Sequence, residues 1–446
     1  MQLLDLATDT LQEAKRLGAD AGDIIIAAGE SFSAGVRLGK VEKIHNSHEK
    51  RMGMRLFAGK SSAITSTANF ARETLLALVE ETVALARTTA ADEYTGLPLA
   101  SELARDFPDL DLEDENITLS TEDKIALARE AEAAALQADP RITNSEGGEF
   151  SHGSREIVFA NTLGFAGQYR TTNYSLSVVP VASQNGMMQR DYWYSSHRKF
   201  RSLETASAIG KKAAERTLRR LDARRVKTQE APVVFDPEMA ASLLRHLAAA
   251  VSGASLYRRT SFLLDKLGEK IAAPGLWIED NARLPSALGS KPFDGEGLPT
   301  RRIPVMEDGV LTNYLLDTYS ARRLGLQSTG SAARAFADAP TASPTNFVLQ
   351  AGAASPQDII QSVRSGLYVT ELSGFGVNPI TGDYSRGAVG LWIENGELAY
   401  PVEEITIAGN LLDMLKNIEI LGNDLELRGT IAAPTLKIAR MMIAGE

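Results

Sequence analysis

The spacing of apolar residues changes near residue 222, and this change constrains the fold more than any other feature of the sequence. Before it, segments with apolar residues at helical spacing alternate with segments patterned as strands. After it, short apolar runs bounded by glycine or proline predominate. Because the 446 residues are also long for one hydrophobic core, we expect more than one domain. The sequence predicts an α+β protein with an N-terminal region at 1–222 and a C-terminal region at 230–446.

The N-terminal region shows the order helix, strands, helix twice, which suggests two similar layers at 1–100 and 120–222. An acidic stretch at 101–120, which contains Asn116, separates them. This stretch lacks the glycine and glutamate of a calcium-binding loop and is predicted to be a solvated linker. We expect antiparallel sheets flanked by helices. Helices are predicted at 2–18, 71–88, 121–137 and 203–221, and strands at 23–29, 33–39, 40–48, 52–58, 156–160 and 174–179.

The C-terminal region is predicted to form a barrel-like or layered antiparallel β domain with a few helices. A helix is expected at 239–250. The strand-like runs lie at 277–278, 302–305, 310–311, 345–349, 388–393, 404–407 and 435–438.

The composition excludes several classes of function. The chain has no cysteine, which removes disulfides, thiolate metal ligands and cysteine nucleophiles. A net charge of -10 disfavours a nucleic-acid partner, and the basic run from Lys211 to Arg225 is predicted to be mainly the solvated face of a helix. No apolar run approaches the ~20 residues that span a bilayer, and the amino terminus lacks a signal-peptide pattern. We expect a soluble cytoplasmic protein with no nucleic-acid and no membrane partner.

Two glycine-containing segments resemble nucleotide-binding motifs but depart from them. Gly53 and Gly59, which precede Lys60, are one residue further apart than a phosphate-binding loop allows. Gly374 and Gly376 begin like a dinucleotide-binding motif, but a proline stands where the third glycine belongs. We predict a strand and a turn for the first segment and a loop with exposed backbone for the second.

Histidines and carboxylates provide only weak candidates for a site. His45 and His48 lie on a predicted strand, where they point to opposite faces, so surface positions are favoured over a metal site. His246 is alone on its helix and is predicted to be structural. Asp294 and Glu296 either act as general acid and base or form a charged turn, and both interpretations remain open.

An ordered series of short motifs runs through the C-terminal region. Each motif is weak alone, but their order and spacing resemble the TldD/PmbA metallopeptidase family, and the N-terminal region agrees with that family in pattern. The motifs are Thr260-Ser-Phe-Leu-Leu-Asp-Lys-Leu-Gly268, Lys291-Pro-Phe-Asp-Gly-Glu-Gly297, Asp308-Gly-Val-Leu-Thr-Asn-Tyr-Leu-Leu-Asp317, Ser320-Ala-Arg-Arg-Leu-Gly325, Gly366-Leu-Tyr-Val-Thr-Glu-Leu372, Gly422-Asn-Asp424 and Pro434-Thr-Leu-Lys-Ile438.

TldD-type members of that family carry His-Glu-x-x-x-His, with two zinc ligands and a general base, and a cysteine near the carboxy terminus as third ligand. The resemblance places this motif on 244–249, with Leu244 and Ala249 at the ligand positions and Arg245 at the glutamate position. The segment 425–433 is too short for the cysteine loop. Because zinc hydrolysis needs about three protein ligands, the resemblance is to the TldE (PmbA) type of subunit. It implies no catalytic residue, no metal ligand and no cofactor in this chain.

The resemblance further implies a cytosolic hetero-oligomer with a TldD-type subunit that carries the zinc. Its substrates would be unfolded or small peptides, including precursors of peptide antibiotics. A chain made alone is expected to form a homodimer through the surface that normally meets the partner. Strand addition would hold an extended peptide, with a candidate strand edge at 368–376. The candidate substrate-binding residues are Tyr368, Val369, Thr370, Glu371, Leu372, Gly374 and Gly376.

Two other classes of function remain open. The chain could be a self-standing peptidase that uses carboxylates such as Asp294 and Glu296 instead of zinc. It could also be a non-enzymatic scaffold or regulatory binding protein.

Overall fold

The computed structural model describes residues 2–115 and 117–446. Met1, at the start of the N-terminal region, and Asn116, in the predicted linker, lie outside the described residues. The predicted α+β class is confirmed, with a helix-flanked antiparallel sheet in the first half and a β-rich second half. In the part of the chain described, no helix is long and apolar enough to cross a membrane. The domain division at 222 and 230 remains our proposal.

The first half contains the four predicted helices, with slightly different ends. Its elements are Leu3–Arg16 (α1), Ala21–Arg37 (β1), Lys40–Ala58 (β2), Ser61–Thr67 (β3), Arg72–Thr88 (α2), Thr121–Leu136 (α3), Ile142–Asn161 (β4), Ala166–Gln184 (β5), Met187–Arg190 (β6), Trp193–His197 (β7) and Ala206–Leu218 (α4), with single 3₁₀ turns at Ala100–Glu102 and Phe200–Ser202.

One antiparallel sheet contains every strand of this half, in the order β3-β2-β1-β4-β5-β6, with β7 paired to β5. The strands of the two predicted layers meet at the β1–β4 pair, where Ile26 lies opposite Val158. Helices α1 and α2 pack against one part of the sheet, and α3 and α4 against another. Helices α3 and α4 approach closely, because a Cβ on Gly210 would lie 2.2 Å from the carbonyl oxygen of Ala131.

The prediction of separate strands at 23–29, 33–39, 40–48 and 52–58 is wrong in one respect: the first two form β1 and the last two form β2. Glu30 to Phe32 pair with β2 on one side and with β4 on the other, so no turn forms there. Gly29 permits a close approach of strands instead of a turn, since a Cβ there would lie 2.2 Å from the carbonyl oxygen of Ser154.

The second half begins with short strands and helices. Four longer strands, β15, β16, β17 and β20, lie toward its end. Its elements are Gln229–Phe235 (β8), Pro237–Ala250 (α5), Gly253–Tyr257 (α6), Ile278–Asn281 (β9), Arg302–Glu307 (β10), Val310–Leu311 (β11), Thr318–Leu324 (α7), Ala332–Ala333 (β12), Thr341–Ala342 (β13), Phe347–Leu349 (β14), Pro356–Gln361 (α8), Ser365–Ser373 (β15), Asp383–Glu394 (β16), Glu397–Asn410 (β17), Leu411–Lys416 (α9), Ile418–Leu421 (β18), Ile431–Ala432 (β19) and Leu436–Ala444 (β20).

The predicted barrel-like domain is confirmed. Strands β17, β16, β15, β8 and β20 pair in that order, and β17 also pairs with β20, so the ring of strands is closed. Strand β18 is attached to β20, and a second sheet has the order β11-β10-β9-β14-β19. Buried side chains such as Phe235, Val369, Ile407 and Ile438 belong to one continuous core with the apolar face of α5.

The sequence predicts an antiparallel domain, but two of its strand pairs are parallel. Strand β8 pairs parallel to β15, and β14 pairs parallel to β19. Parallel neighbours need a long crossover connection, and here α5 and the strands β9 to β14 lie in the chain between β8 and β15. Such pairing between distant segments leaves no signal in the local period of a strand.

Candidate functional site

A groove with a volume of about 450 Å³ lies between α5 and the loop that joins β15 to β16. The residues on α5 follow helical spacing and therefore share one face. Strand β16 and the residues around α6 and α9 complete the walls. The groove is lined by Ser242, Arg245, His246, Ala249, Ala250, Ser255, Thr260, Phe262, Gly374, Phe375, Val377, Pro379, Arg386 and Leu411.

The sequence fixes the start of α5 strongly. Asp236 is the N-cap residue, and its side chain accepts a hydrogen bond from the backbone N–H of Met239 at 2.9 Å. Pro237 occupies the first turn, where its missing N–H costs nothing. Asp236 also lies 3.5 Å from a guanidinium nitrogen of Arg216 on α4, which ties the start of α5 to the first half of the chain. The helix that lines the groove is therefore held at its N-terminus by a buried ionic contact.

The three positions aligned with the zinc motif do not converge. Arg245 and Ala249 are exposed and line the groove, whereas Leu244 is only 4% exposed and packs into the core. Adjacent helical residues point about 100° apart, so Leu244 faces away from the groove. Any replacement at Leu244 would have to displace core contacts before it could reach the groove.

The side chains of the groove do not fit a zinc ion. Within the described residues, His246 is the only imidazole of the lining and no carboxylate or thiol accompanies it, while Arg245 and Arg386 bring positive charge. Across residues 2–115 and 117–446, no three His, Cys, Asp or Glu side chains group so that they could hold a metal ion. A catalytic zinc needs about three such ligands and an open position. The groove is therefore suited to an anion rather than to a cation.

His246 is one of the residues that line this groove. Its Nε2 atom is buried and has no hydrogen-bond partner among the described residues. Its ring lies edge-on to the ring of Tyr384, with 6.2 Å between the two ring centroids. Burial lowers the pKa of His246, and the guanidinium groups of Arg386 and Arg245 lower it further. The imidazole is therefore neutral near pH 7, and one of its two nitrogens carries a proton and can donate a hydrogen bond.

The loop opposite α5 is the predicted loop with exposed backbone. Gly374 has a φ of +81°, a region that favours glycine. Gly376 is pressed against β16, because a Cβ there would lie 2.0 Å from the carbonyl oxygen of Ser385. Between these glycines, the ring of Phe375 is fully exposed. The loop thus holds one large apolar side chain in solvent at the rim of the groove.

The candidate edge at 368–376 needs correction in its first part. Tyr368 and Val369 lie inside the barrel wall, paired with β8 on one side and with β16 on the other. The chain turns into α5 after Phe235, and therefore, within the described residues, β15 has no partner strand on that side beyond Val369. Glu371 in this open stretch forms an ion pair with Arg220. A direct contact with peptide thus remains a hypothesis, and the open stretch and the two glycines of the loop are better placed for it than Tyr368 and Val369.

The carboxylates at 294 and 296 do not form a solvated charged turn. Asp294 and Glu296 are 2% and 1% exposed, and backbone N–H groups, among them those of Leu298, Ala332 and Thr318, donate to their oxygens. Burial raises the pKa of both carboxyl groups. Because their oxygens are occupied by the fold and closed off from solvent, the geometry favours a structural role for this pair.

Glu296 also belongs to a buried ionic cluster that joins the two halves of the chain. Arg55 on β2 donates to Asp23 on β1, with Nε at 2.8 Å, and lies 4.0 Å from Glu296. Arg334 reaches the other oxygen of Asp23 at 3.1 Å. These contacts tie the second half of the chain to strands β1 and β2 of the first sheet.

The basic run 211–225 is only partly the solvated face that the sequence predicts: Lys211 and Arg225 are exposed, but the arginines in the middle of the run are largely buried. Arg216 is 4% exposed and lies within 4.0 Å of carboxylate oxygens of Asp191, Asp236 and Glu238. Arg220 contacts Asp191 as well. Acidic residues from distant parts of the chain pair with these two arginines, and charge counting along the sequence does not detect them. His45 and His48, in contrast, are exposed on β2 as expected for surface histidines.

Sequence reasoning missed Ser242, Phe262, Phe375 and Arg386 as groove residues. Arg386 follows Ser385 in an ordinary strand, and its local sequence carries no motif. Its Nη1 atom lies 3.5 Å from Ser242 Oγ on α5, far away along the chain. The helical spacing of 242, 245, 246 and 249 indicates that these residues share one face of α5. That the face lines a groove is known only from the structure.

Sequence profiles of one family match the chain in order. They are PmbA/TldA metallopeptidase domain 1 at residues 22–86, the central domain at 114–221 and the C-terminal domain at 228–445. The metalloprotease PmbA of Escherichia coli O157:H7 is 40% identical over 445 residues, which cover 100% of this chain and 97% of the relative. A PmbA homolog from Haemophilus influenzae is 35% identical over 448 residues, covering 100% and 96%.

Two solved structures share the fold. A protein from Bacteroides thetaiotaomicron, described as a proposed modulator of DNA gyrase, has a TM-score of 0.92 and 29% identity, with 99% of this chain and 98% of that chain covered. TldE from Thermococcus kodakarensis has a TM-score of 0.89 and 21% identity, with 99% and 100% covered. At the lower identity, the likeness concerns the fold alone.

Proposed function

Because this chain belongs to the PmbA/TldD family of metallopeptidases, we propose that it acts in proteolysis as a TldE-type subunit, without a zinc ion of its own. Its partner is a TldD-type chain that carries the zinc. The substrates are unfolded or small peptides, peptide-antibiotic precursors among them, and the site of action is the cytoplasm. In this assembly the present chain forms part of the wall of the peptide-binding cavity.

The observation that carries the proposal is the nature of the face that α5 presents. The helix aligned with the zinc motif keeps an open groove, yet Arg245 and Ala249 stand at positions where the motif has a general base and a ligand. An arginine repels a metal cation and attracts carboxylate groups. A groove of this kind supports binding of a peptide, whereas the chemistry of hydrolysis is supplied by the partner.

Phe375 supports a partner surface next to the groove. A fully exposed phenylalanine on a loop exposes a large apolar area to water, and exposed apolar groups of this kind often mark an interface. Ile380, which follows the groove-lining Pro379, is also 55% exposed. We assign this rim to the contact with the TldD-type chain, so that the groove opens into a space shared by both subunits.

The test is cleavage by purified components. An unfolded peptide is incubated with this chain, with a TldD-type chain from the same organism, and with both, and the products are identified by mass spectrometry. We expect cleavage that requires both chains and stops when a zinc chelator is added. Cleavage by this chain alone that survives the chelator would favour the self-standing peptidase. Cleavage by the TldD-type chain that is equally fast without this chain would favour the scaffold or regulatory protein.

A further inference from the structure

We propose that the groove between α5 and the 374–379 loop is a binding site for the C-terminal carboxylate of a peptide, with an adjacent apolar wall for the side chain of its last residue. The inference rests on the proposed function in taking a peptide as the ligand. It also specifies the direction in which the peptide binds, because its free carboxyl end lies against this chain.

Within the part of the chain that the structure describes, no carboxylate pairs with the arginines of the groove. Arg245 forms no hydrogen bond or ion pair with any described residue, and Arg386 donates to the carbonyl oxygen of Ser373 and weakly to Ser242 but meets no carboxylate within 4.0 Å. Elsewhere in the structure, Arg216 is buried among acidic side chains. In a chain of net charge -10, two arginines without acidic partners on one cavity are a specific arrangement. Planar guanidinium groups bind carboxylates through paired hydrogen bonds.

A second observation, independent of charge, points to a ligand. His246 Nε2 is buried and has no hydrogen-bond partner among the described residues. Leaving such a polar group unpaired costs free energy, and His246 lines the groove, so a turn of its ring toward the groove would let a ligand there pair with Nε2. The hydroxyl of Ser242, on the same helical face one turn earlier, supplies a further donor. A carboxylate has two oxygens, each of which accepts more than one hydrogen bond, and can therefore use these donors together.

The rest of the groove is apolar and suits a side chain. Phe262, Val377 and Leu411 line it together with Ala249. Its volume of about 450 Å³ lies in the usual range for small-ligand sites. An inorganic anion would use the arginines and leave this wall unused. A terminal residue with an apolar side chain uses both parts of the groove.

The experiment measures binding to the full chain without its partner. Fluorescence anisotropy is recorded with an N-terminally labelled hexapeptide that ends in leucine, as the free acid, as the C-terminal amide, and as the amide with one internal aspartate. We expect the free acid to bind at least tenfold more tightly than either amide, and inorganic phosphate to compete only weakly. Equal affinity for acid and amide would overturn the proposal. Equal affinity for the acid and the aspartate-containing amide would also overturn it, because the groove would then recognise any carboxylate.

Matched variants locate the site. Arg245→Gln should weaken binding of the free acid about tenfold and leave binding of the amide unchanged, and Arg245→Lys should restore part of the loss. Arg283→Gln, a change at an exposed arginine outside the groove lining, should have no effect. Because Arg245 is exposed and unpaired among the described residues, its variants should fold, which thermal unfolding verifies. Loss of binding in the Arg283 variant to the same extent would show that binding depends on overall charge, against the proposal.

Failure of this proposal is distinguishable from failure of the proposed function. If the chain distinguishes acid from amide but never supports cleavage with a TldD-type chain, the site stands and the subunit role falls. If the two chains together cleave peptides, yet acid and amide bind equally to this chain, the subunit role stands and the carboxylate site falls.

Discussion

Asp280 should make the stability of this protein depend on pH. It lies on β9 and is 1% exposed, and its two oxygens accept hydrogen bonds from the backbone N–H of Thr345 at 2.7 Å and from its hydroxyl at 3.0 Å. Burial raises the pKa of Asp280 from 3.8 to about 6, against the opposing effect of these hydrogen bonds. We consider the variant Asp280→Asn, which has the same shape and no charge at any pH.

Because the pKa of Asp280 is raised, the stability of the protein should fall as the pH rises. A carboxyl group whose pKa is higher in the folded chain stabilises the fold when it is protonated, so its contribution is complete below pH 3.8 and is lost as the pH rises through about 6. Since one pKa unit corresponds to about 1.4 kcal/mol, ionised Asp280 lowers the free energy of unfolding by about 3 kcal/mol at pH 8. At pH 5 about half of this loss has already occurred. Asparagine removes the loss and gives up at most one hydrogen bond, a cost of about 1 kcal/mol that does not vary with pH.

The assay is urea unfolding of the wild type and Asp280→Asn at pH 5 and pH 8. The free energy of unfolding of the variant, relative to the wild type, should increase by about 1–2 kcal/mol between these values. Asp9→Asn, at an exposed position of α1, is the control and should show no such change. Parallel pH dependences for the wild type and Asp280→Asn would refute the reasoning, because burial would then not control the ionisation of this group.

Three further predictions concern packing, charge and the groove rim. Gly210→Ala should destabilise the protein by about 1–3 kcal/mol in thermal unfolding, because the added carbon overpacks the contact between α3 and α4, whereas Gly429→Ala, which faces open space, should not. Arg216→Leu should cost about 3–5 kcal/mol in denaturant unfolding, because it leaves the buried carboxylates of Asp236 and Glu238 without their cation, while Lys211→Leu on the exposed face of the same helix should change stability by less than about 0.5 kcal/mol. Phe375→Ser should leave the melting temperature unchanged and reduce partner-dependent cleavage about tenfold, a loss that an unimpaired cleavage rate would contradict.

Local patterns predicted the positions of helices and strands better than they predicted which strands pair with each other. The α5 helix is marked by Asp236, Pro237 and an apolar stripe, and each of these signals is contained within a few residues. The extent of β1 was missed because Gly29 resembles a turn residue in sequence. Its actual role, close approach to β4, depends on a strand that lies more than a hundred residues later.

The groove illustrates the same limit for function. Arg245 and Ala249 were reached through the family resemblance, but nothing in the sequence indicates that Arg386 shares a cavity with them. The burial of Arg216 and of Asp294 was likewise invisible, because exposure depends on the packing of distant segments. Most charged residues are exposed to solvent in folded proteins, and the buried exceptions can be identified only from the three-dimensional structure.

The central claim is that this chain pairs with a TldD-type subunit that holds the zinc. It is tested most directly by size-exclusion chromatography with light scattering and zinc analysis, on this chain alone and after co-expression with the TldD-type chain. We predict a homodimer or larger oligomer with no stoichiometric zinc for the chain alone, and a mixed complex with about one zinc per TldD-type chain after co-expression. A monomer at micromolar concentration that the partner leaves unchanged would contradict the pairing. About one zinc per chain in the isolated protein, lost in His246→Ala, would contradict the absence of a zinc site.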